Sequence, residues 1–228
     1  MTRSAIMAWA ALLIGSGCGA SAQRPGAPAT FVLQGDADGV IGLEHEYKGF
    51  SGGAALGFEA PGCCGIGANV TYWHVDKDLP LKGLTKSDRD ALQREVDAGA
   101  GADGESDTLY GVNRMLGGGV EVSAELLAWL RLRLRADLAG TPPTTATLGR
   151  KGFAGSLAAV VRLTELPPLS GGPLEVGKAA PLLDLVVACQ AWTFEEERTS
   201  AGLVGGEVSS VALMLGLRFG ASYGLDLR

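Results

Sequence analysis

Apolar and charged side chains alternate along residues 120–138, VEVSAELLAWLRLRLRADL. On a helix, successive side chains lie about 100° apart, so Leu130, Leu132 and Leu134 would point to different sides. On a strand, the even-numbered positions form a face without charge, whereas the odd-numbered positions carry glutamates and arginines. This period outweighs the helix propensity of the same residues, because propensity is a weak prior. The pattern predicts one strand over 120–138.

The same two-residue period recurs along most of the chain, separated by turn and loop sequences. The least regular segment is 181–194, because Val186, Trp192 and Phe194 share its polar side. Without crossover helices, such a series predicts an all-β, antiparallel up-and-down barrel of about eight strands. The predicted strands are 31–47, 50–60, 64–75, 108–116, 120–138, 152–164, 181–194 and 207–227, with a turn at Gly117, Gly118 and Gly119.

Residues 76–107 are polar and lack the period, which predicts one long loop. Within it, SDRDALQREVDAG begins with Ser87 as a cap and ends with a glycine, so a short surface helix is expected. Residues 23–228 are therefore expected to form a single β-barrel domain.

The amino terminus is interpreted as a secretory signal over residues 1–22. Arg3 precedes a short apolar run that is too short to span a bilayer, and the small residues of Ala20-Ser21-Ala22 suit cleavage before Gln23. In the alternative interpretation Cys18 is the lipidated first residue, although Gly15 stands where lipoprotein signals usually carry leucine. Both interpretations imply export.

Alternation alone does not say whether the apolar face lines the barrel or surrounds it. The uncharged face of 120–138 would run about 60 Å along one strand, or about 40 Å at about 45° tilt, which suits a membrane. Charges on the lipid side would each cost kilocalories, so the polar face is expected to line the lumen. The predicted lumen-facing charged network comprises Asp36, Asp38, Glu44, Glu121, Glu125, Arg131, Arg133, Arg135, Arg162, Asp184 and Arg218.

An even number of strands returns both termini to one side. The turns at 61–63 and 117–119 then face the periplasm, and the long loops 76–107, 140–151 and 195–206 face outward. The connection 165–180 is longer than this pattern expects.

The net charge and the spacing of the cysteines restrict which partners and which kinds of site are expected. The formal net charge is −6, and no basic patch stands outside the alternating strands, so no nucleic-acid partner is expected. After cleavage the cysteines are Cys63, Cys64 and Cys189. Their spacing does not match that of a zinc site. The sequence allows either a disulfide bond between Cys63 and Cys64 or reduced thiols. The segment 34–45 resembles a calcium loop only in part, because Gln34 and His45 replace carboxylates. No metal or cofactor is expected.

His45 and His74 are the only histidines, and each is considered as the base of a serine–histidine pair. Neither is followed two residues later by a serine, so a nucleophile–base pair is not expected and the chain is interpreted as non-enzymatic.

The alternating pattern resembles that of the small eight-stranded outer-membrane proteins of Gram-negative bacteria, over about residues 29–228. Members usually end in an aromatic residue, whereas this chain ends in Arg228 after alternating Tyr223, Leu225 and Leu227. The resemblance implies an outer-membrane location, contact with outer-membrane lipid and with the barrel-assembly machinery, and a role in envelope structure or surface interaction. Because eight strands leave room only for side chains, a plugged lumen is favoured over a narrow, porin-like ion path. The alternatives are a soluble or lipid-anchored exported barrel that binds an apolar ligand, and a barrel-borne lipid hydrolase.

Overall fold

A computed structural model describes residues 28–43, 46–60, 62–79, 81–82, 87, 94, 112–141, 150–166, 174–195, 197–198, 204–205 and 207–226. The predicted signal over 1–22, Glu44, His45 and most of the helix predicted over 87–99 lie outside these residues. The barrel strands are β1 (Ala29–Gly42), β2 (Lys48–Glu59), β3 (Cys64–Leu79), β5 (Val112–Leu127), β6 (Leu130–Gly140), β7 (Lys151–Arg162), β8 (Ala179–Phe194) and β11 (Glu207–Leu225). The shorter elements are β4 (Leu81–Lys82), β9 (Glu197–Arg198), β10 (Val204–Gly205) and a 3-10 turn (Leu163–Glu165).

The eight long strands pair in chain order, each antiparallel to the next. The last strand, β11, also pairs with β1 from Ala29↔Leu225 to Gly42↔Ala212, so the sheet closes on itself. The closed all-β, up-and-down barrel predicted from the period is thereby confirmed. Within the described residues, no helix is long and apolar enough to cross a membrane.

The single strand predicted over 120–138 is wrong. The chain turns at Ala128 and Trp129, and the two halves of the segment belong to neighbouring strands, β5 and β6. The argument from a continuous 60 Å apolar face therefore fails. The total of eight strands survives because β5 also absorbs the separate strand that was predicted over 108–116.

The turn is invisible in the pattern because the alternation keeps its phase through it. Leu127 pairs with Leu130, but a bulge shifts the register so that Glu125 pairs with Arg131. Without this shift every side chain of one strand would change faces, since side chains alternate with a period of two. Ala128 and Trp129 also lack the Gly, Pro, Asn or Asp that marks most turns.

The three glycines 117–119 were interpreted as a turn, but they lie within β5. The ring of Trp73 covers Gly117, and a Cβ at that position would come within 2.7 Å of it. A Cβ on Gly119 would overlap the carbonyl oxygen of Ala136 and approach Asp137. These glycines therefore allow close packing inside the barrel, which is the second common role of glycine in strands.

This packing gives a matched pair of variants. Gly119→Ala is expected to destabilise the barrel by about 1–3 kcal/mol, the usual cost of overpacking. In Gly118→Ala the new Cβ meets only ordinary contacts, the nearest at 3.4 Å, so this variant should match the wild type. Unfolding midpoints in urea measure both. Equal midpoints for the two variants would contradict the inward placement of Gly119.

The connections divide between the two ends of the barrel. One end, which we call the turn end, carries the turns at 60–63 and 128–129, the 163–178 connection and both strand termini, 29 and 225. The 128–129 turn takes the place of the turn predicted at 117–119. The 163–178 connection is long, as its sequence indicates, and its Val176 bridges to Gly224. The opposite, loop end carries the connections 43–47, 80–111, 141–150 and 195–206.

An additional strand pairing lies at the loop end. After Leu79 the chain reaches β11 as β4, with Leu81 opposite Val208, although β3 and β11 are not neighbours in the barrel. Tyr47 points inward below this crossing, and its buried hydroxyl lies 2.8 Å from the Ser210 hydroxyl. The strand predicted over 31–47 would instead place Tyr47 on its outward apolar face, together with Leu33 and Ile41. That assignment is wrong because β1 ends at Gly42.

Candidate functional site: a charged lumen inside an apolar belt

The outer surface of the barrel is apolar around its whole circumference. Large hydrophobic side chains are exposed on every barrel strand, including Leu33 at 56%, Leu138 at 68% and Phe219 at 56%. In the described strands, no outward-facing residue between the two ends is Asp, Glu, Lys or Arg. We call this surface the outer belt. Exposed charged residues bound it, with Lys48, Asp76, Lys77, Arg114, Lys151, Glu195 and Glu207 at the loop end and Glu175, Lys178 and Asp226 at the turn end.

The belt has the height of a membrane interior. On β11 it runs from Val211 to Tyr223, twelve residue steps. These steps correspond to about 40 Å of strand and about 28 Å along the barrel axis at about 45° tilt. Outer-membrane barrels carry an apolar band about 25 Å tall. A surface of this size is far above the few hundred square ångströms of apolar patch that water-exposed proteins usually carry.

The interior holds the charged residues instead. Arg131, Arg133 and Arg135 of β6 face Glu125, Ser123 and Glu121 of β5 across the hairpin, because the bulge keeps both strands in phase. All three arginines are buried, at 8%, 3% and 3% exposure respectively. A buried arginine remains charged, so the interior must supply carboxylates.

Glu121 is the centre of the first cluster. Its Oε1 lies 2.6 Å from Arg218 Nη2, and its Oε2 lies 3.2 Å from Arg135 Nη2 and 3.9 Å from Arg133 Nη1. The side-chain amide of Gln34 donates a hydrogen bond of 3.2 Å to Oε1. Arg135 reaches further, to Asp36 at 3.2 Å and to the hydroxyl of Thr71 at 2.9 Å. One carboxylate thus joins strands on opposite sides of the lumen.

Glu59 is the centre of the second cluster, which lies nearer the turn end. Arg162 donates two parallel hydrogen bonds of 3.2 Å to its carboxylate, a geometry that favours strong pairing. Arg131 Nη1 lies 2.7 Å from the same carboxylate, and Arg131 Nη2 lies 3.1 Å from Glu125. Arg162 also reaches Asp184 at 3.4 Å. Taken together, the two clusters draw charged or polar side chains from all eight barrel strands.

On the loop side of these clusters, two further carboxylates accept hydrogen bonds from neutral side chains. Ser51 donates to Asp38 at 3.2 Å, and Asn69 donates to Asp137 at 2.7 Å. Both carboxylates are buried, and each retains one oxygen without a hydrogen-bond partner in the described structure. Water is the ordinary partner of such atoms inside proteins.

The structure brings together nearly all of the residues that the sequence analysis assigned to the lumen. Glu125 lies at the turn-end rim and is half-buried, and Glu44 lies outside the described residues. The assigned residues found buried in the lumen are Asp36, Asp38, Glu121, Arg131, Arg133, Arg135, Arg162, Asp184 and Arg218.

Two acidic members of the network were missed. Glu59 and Asp137 both occupy polar-face positions of segments recognised as strands, so their parity alone could have identified them. Asn69 and Thr71, which complete the hydrogen bonding, share this signal but carry no charge.

The loop end of the lumen is apolar, which the sequence analysis did not foresee. Trp73, Trp192 and Phe194 are exposed by 0%, 2% and 1%, and the two tryptophan rings meet edge to face with centroids 6.5 Å apart. Val186 points inward too. The irregularity of 181–194 therefore has a structural cause. Its inward positions near the loop end contact aromatic side chains rather than arginines.

An indentation lined by Gln34, Glu59 and Glu121 has a volume of about 10 Å³, about the space that one water molecule requires. Small barrels generally fill their interiors with side chains, and here the tryptophans and arginines do so.

Other candidate chemistry remains sparse. His74 points outward, and its ring contacts that of Phe50 in a tilted arrangement, with centroids 5.3 Å apart and planes at 54°. Among the described residues, no three His, Cys, Asp or Glu side chains are grouped so that they could hold a metal ion.

No family model matches the chain, and no curated protein matches it. Among solved structures, the crystal structure of Neisserial surface protein A is similar, with 11% sequence identity and a TM-score of 0.39. The match covers 83% of this chain and 95% of that one.

Proposed function

We propose that the chain is a non-enzymatic outer-membrane β-barrel that serves envelope structure or surface interaction through the connections at its loop end. The observation that carries this proposal is the outer belt, an uncharged apolar surface on all eight strands with charged residues at both edges. In water such a surface would promote aggregation, whereas in a bilayer it is the required surface.

The direction of the side chains argues against the alternative of an exported barrel that binds an apolar ligand. Such a barrel needs its apolar face inside, but here the interior carries Glu121, Arg133 and Arg135 while Leu138 and Phe219 lie outside. The apolar part of the interior is filled by tryptophan and phenylalanine side chains.

The proposal includes a closed lumen. The arginine–carboxylate clusters cross the middle of the barrel, and the aromatic side chains fill its loop end. An ion would have to displace both layers, because an eight-stranded barrel has no width to spare. We therefore assign the arginines to stabilising the barrel rather than to selecting ions.

Fractionation combined with gel mobility tests the proposal. The chain, expressed with its amino-terminal 22 residues in a Gram-negative host, should remain with outer membranes after a urea wash. It should also migrate faster before boiling than after, because a folded barrel resists detergent. A matched sample that lacks residues 1–22 is expected to stay out of the outer membrane. Recovery of the full chain in the soluble periplasmic fraction, with one mobility, would contradict the proposal.

A further inference from the structure

Two adjacent cysteines lie at the turn end of the barrel, in the turn between β2 and β3. The sulfur atoms of Cys63 and Cys64 are 3.1 Å apart, and both residues are half-buried. This distance is a non-bonded contact, since a disulfide bond is about 2.05 Å long.

The turn backbone holds the two sulfurs together. Gly62 adopts a positive φ of 69°, a conformation that suits glycine, and Ala60 N–H donates to the Cys64 carbonyl oxygen at 2.7 Å. On the other side, Glu125 N–H donates to the Cys63 carbonyl oxygen at 2.9 Å. The cysteines are thus fixed between two strands, while their side chains remain near solvent.

The third cysteine of the described chain is out of reach of this pair. Cys189 is exposed on the outer belt in β8, opposite Leu157 and Leu213. The order of strands puts β1 and β11 between β2 and β8, and the register places Cys189 level with Lys48, at the opposite end of β2 from Cys63. A disulfide needs Cα atoms within about 7 Å. Of the three cysteines in the described part of the chain, Cys63 and Cys64 are therefore the two close enough to bond to each other within one barrel.

We propose that Cys63 and Cys64 form a reversible dithiol/disulfide site that reacts with reactive disulfides. One thiolate attacks a sulfur of the external disulfide, forms a mixed disulfide and releases the first external thiolate. The neighbouring thiolate then attacks the cysteine sulfur of the mixed disulfide, closes the Cys63–Cys64 bond and releases the second thiolate. The two cysteines lose two electrons and two protons, and the external disulfide is reduced to two thiols.

The product should be easy to reduce again. Adjacent residues have Cα atoms about 3.8 Å apart, shorter than the usual range of about 4.4–6.8 Å for a disulfide. Strained and exposed disulfides are the labile ones, whereas structural disulfides resist reduction. This site therefore suits a reversible modification better than a permanent cross-link, and it does not depend on the function proposed above.

Oxidised glutathione is the probe, applied to folded, detergent-solubilised protein comprising residues 23–228, which carries Cys63, Cys64 and Cys189, after reduction and removal of the reductant. The wild type should lose two of its three maleimide-reactive thiols, remain monomeric and become lighter by two hydrogen atoms. Dithiothreitol should restore both thiols. Cys189→Ser should show the same loss of two thiols, because its cysteine takes no part.

The single variants report the intermediate. Cys63→Ser and Cys64→Ser lack the resolving thiol, so each should retain one glutathionyl group at the remaining cysteine of the turn. Gel mobility before boiling verifies that each sample is folded. The proposal would be overturned by a wild type that keeps all three thiols, that accumulates glutathionyl groups instead of losing hydrogen, or that cross-links into dimers.

Discussion

Leu217→Arg is expected to prevent assembly of the barrel in the membrane. Leu217 lies midway along the outer belt on β11, is 48% exposed, and pairs in register with Ala37 and Leu185. An arginine on the lipid face at the bilayer midplane costs about 2–4 kcal/mol, a large share of the total stability of an ordinary domain. Outer-membrane recovery of the heat-modifiable band measures the effect, and the band should be strongly reduced.

The control uses the depth dependence of this cost. Leu132 would be central if 120–138 were one strand. It lies instead only two residues from the start of β6, near the turn end. Arginine near the membrane interface costs about 0–1 kcal/mol, so Leu132→Arg should assemble nearly as well as the wild type. Equal recovery of both variants at the wild-type level would contradict a lipid-facing belt.

The parity of most strand residues could be predicted from the sequence, but the ends of the strands could not. Parity is local, because a strand with one buried face repeats every two residues. The turn at Ala128 and Trp129 depends on a bulge that restores the phase, so the alternation continues through it unchanged. Glycines at 117–119 gave a false signal, because what requires them is Trp73 and Asp137 across the sheet. Contacts with a neighbouring strand cannot be predicted from the local sequence alone.

The same distinction applies to the candidate site. The arginines of β6 could be assigned to the lumen because they share one face with Glu121 and Glu125. Which carboxylate each arginine meets depends on closure of the barrel, which places Arg218 of β11 at 2.6 Å from Glu121 of β5. The aromatic end of the lumen was missed for a related reason. Whether an inward position is polar or apolar depends on its height along the barrel axis. That height is set by the ends and the register of the strands.

Glu121→Gln is expected to destabilise the barrel more than any other single change in the lumen. The variant keeps the volume of the side chain but removes the carboxylate that Arg133, Arg135 and Arg218 share. Arg135 retains Asp36, whereas no other carboxylate of the described residues forms an ion pair with Arg133 or Arg218. Removing one partner of a buried ion pair costs about 3–5 kcal/mol, because the remaining charge is uncompensated.

The urea midpoint of the folded, heat-modifiable form measures this cost. Glu207→Gln is the matched control, because Glu207 is exposed at the loop end and its bond to Thr193 is exposed too, so its midpoint should remain at the wild-type value. Adding Arg218→Gln to Glu121→Gln removes an uncompensated charge and should recover part of the loss, which a double-mutant cycle quantifies.

The same samples test the closed lumen in planar bilayers. The wild type should conduct poorly, and Glu121→Gln should admit a larger leak, because water and counterions must enter to compensate the arginines. A large, stable wild-type conductance, with a midpoint for Glu121→Gln equal to that of Glu207→Gln, would instead favour an open pore whose arginines are already solvated.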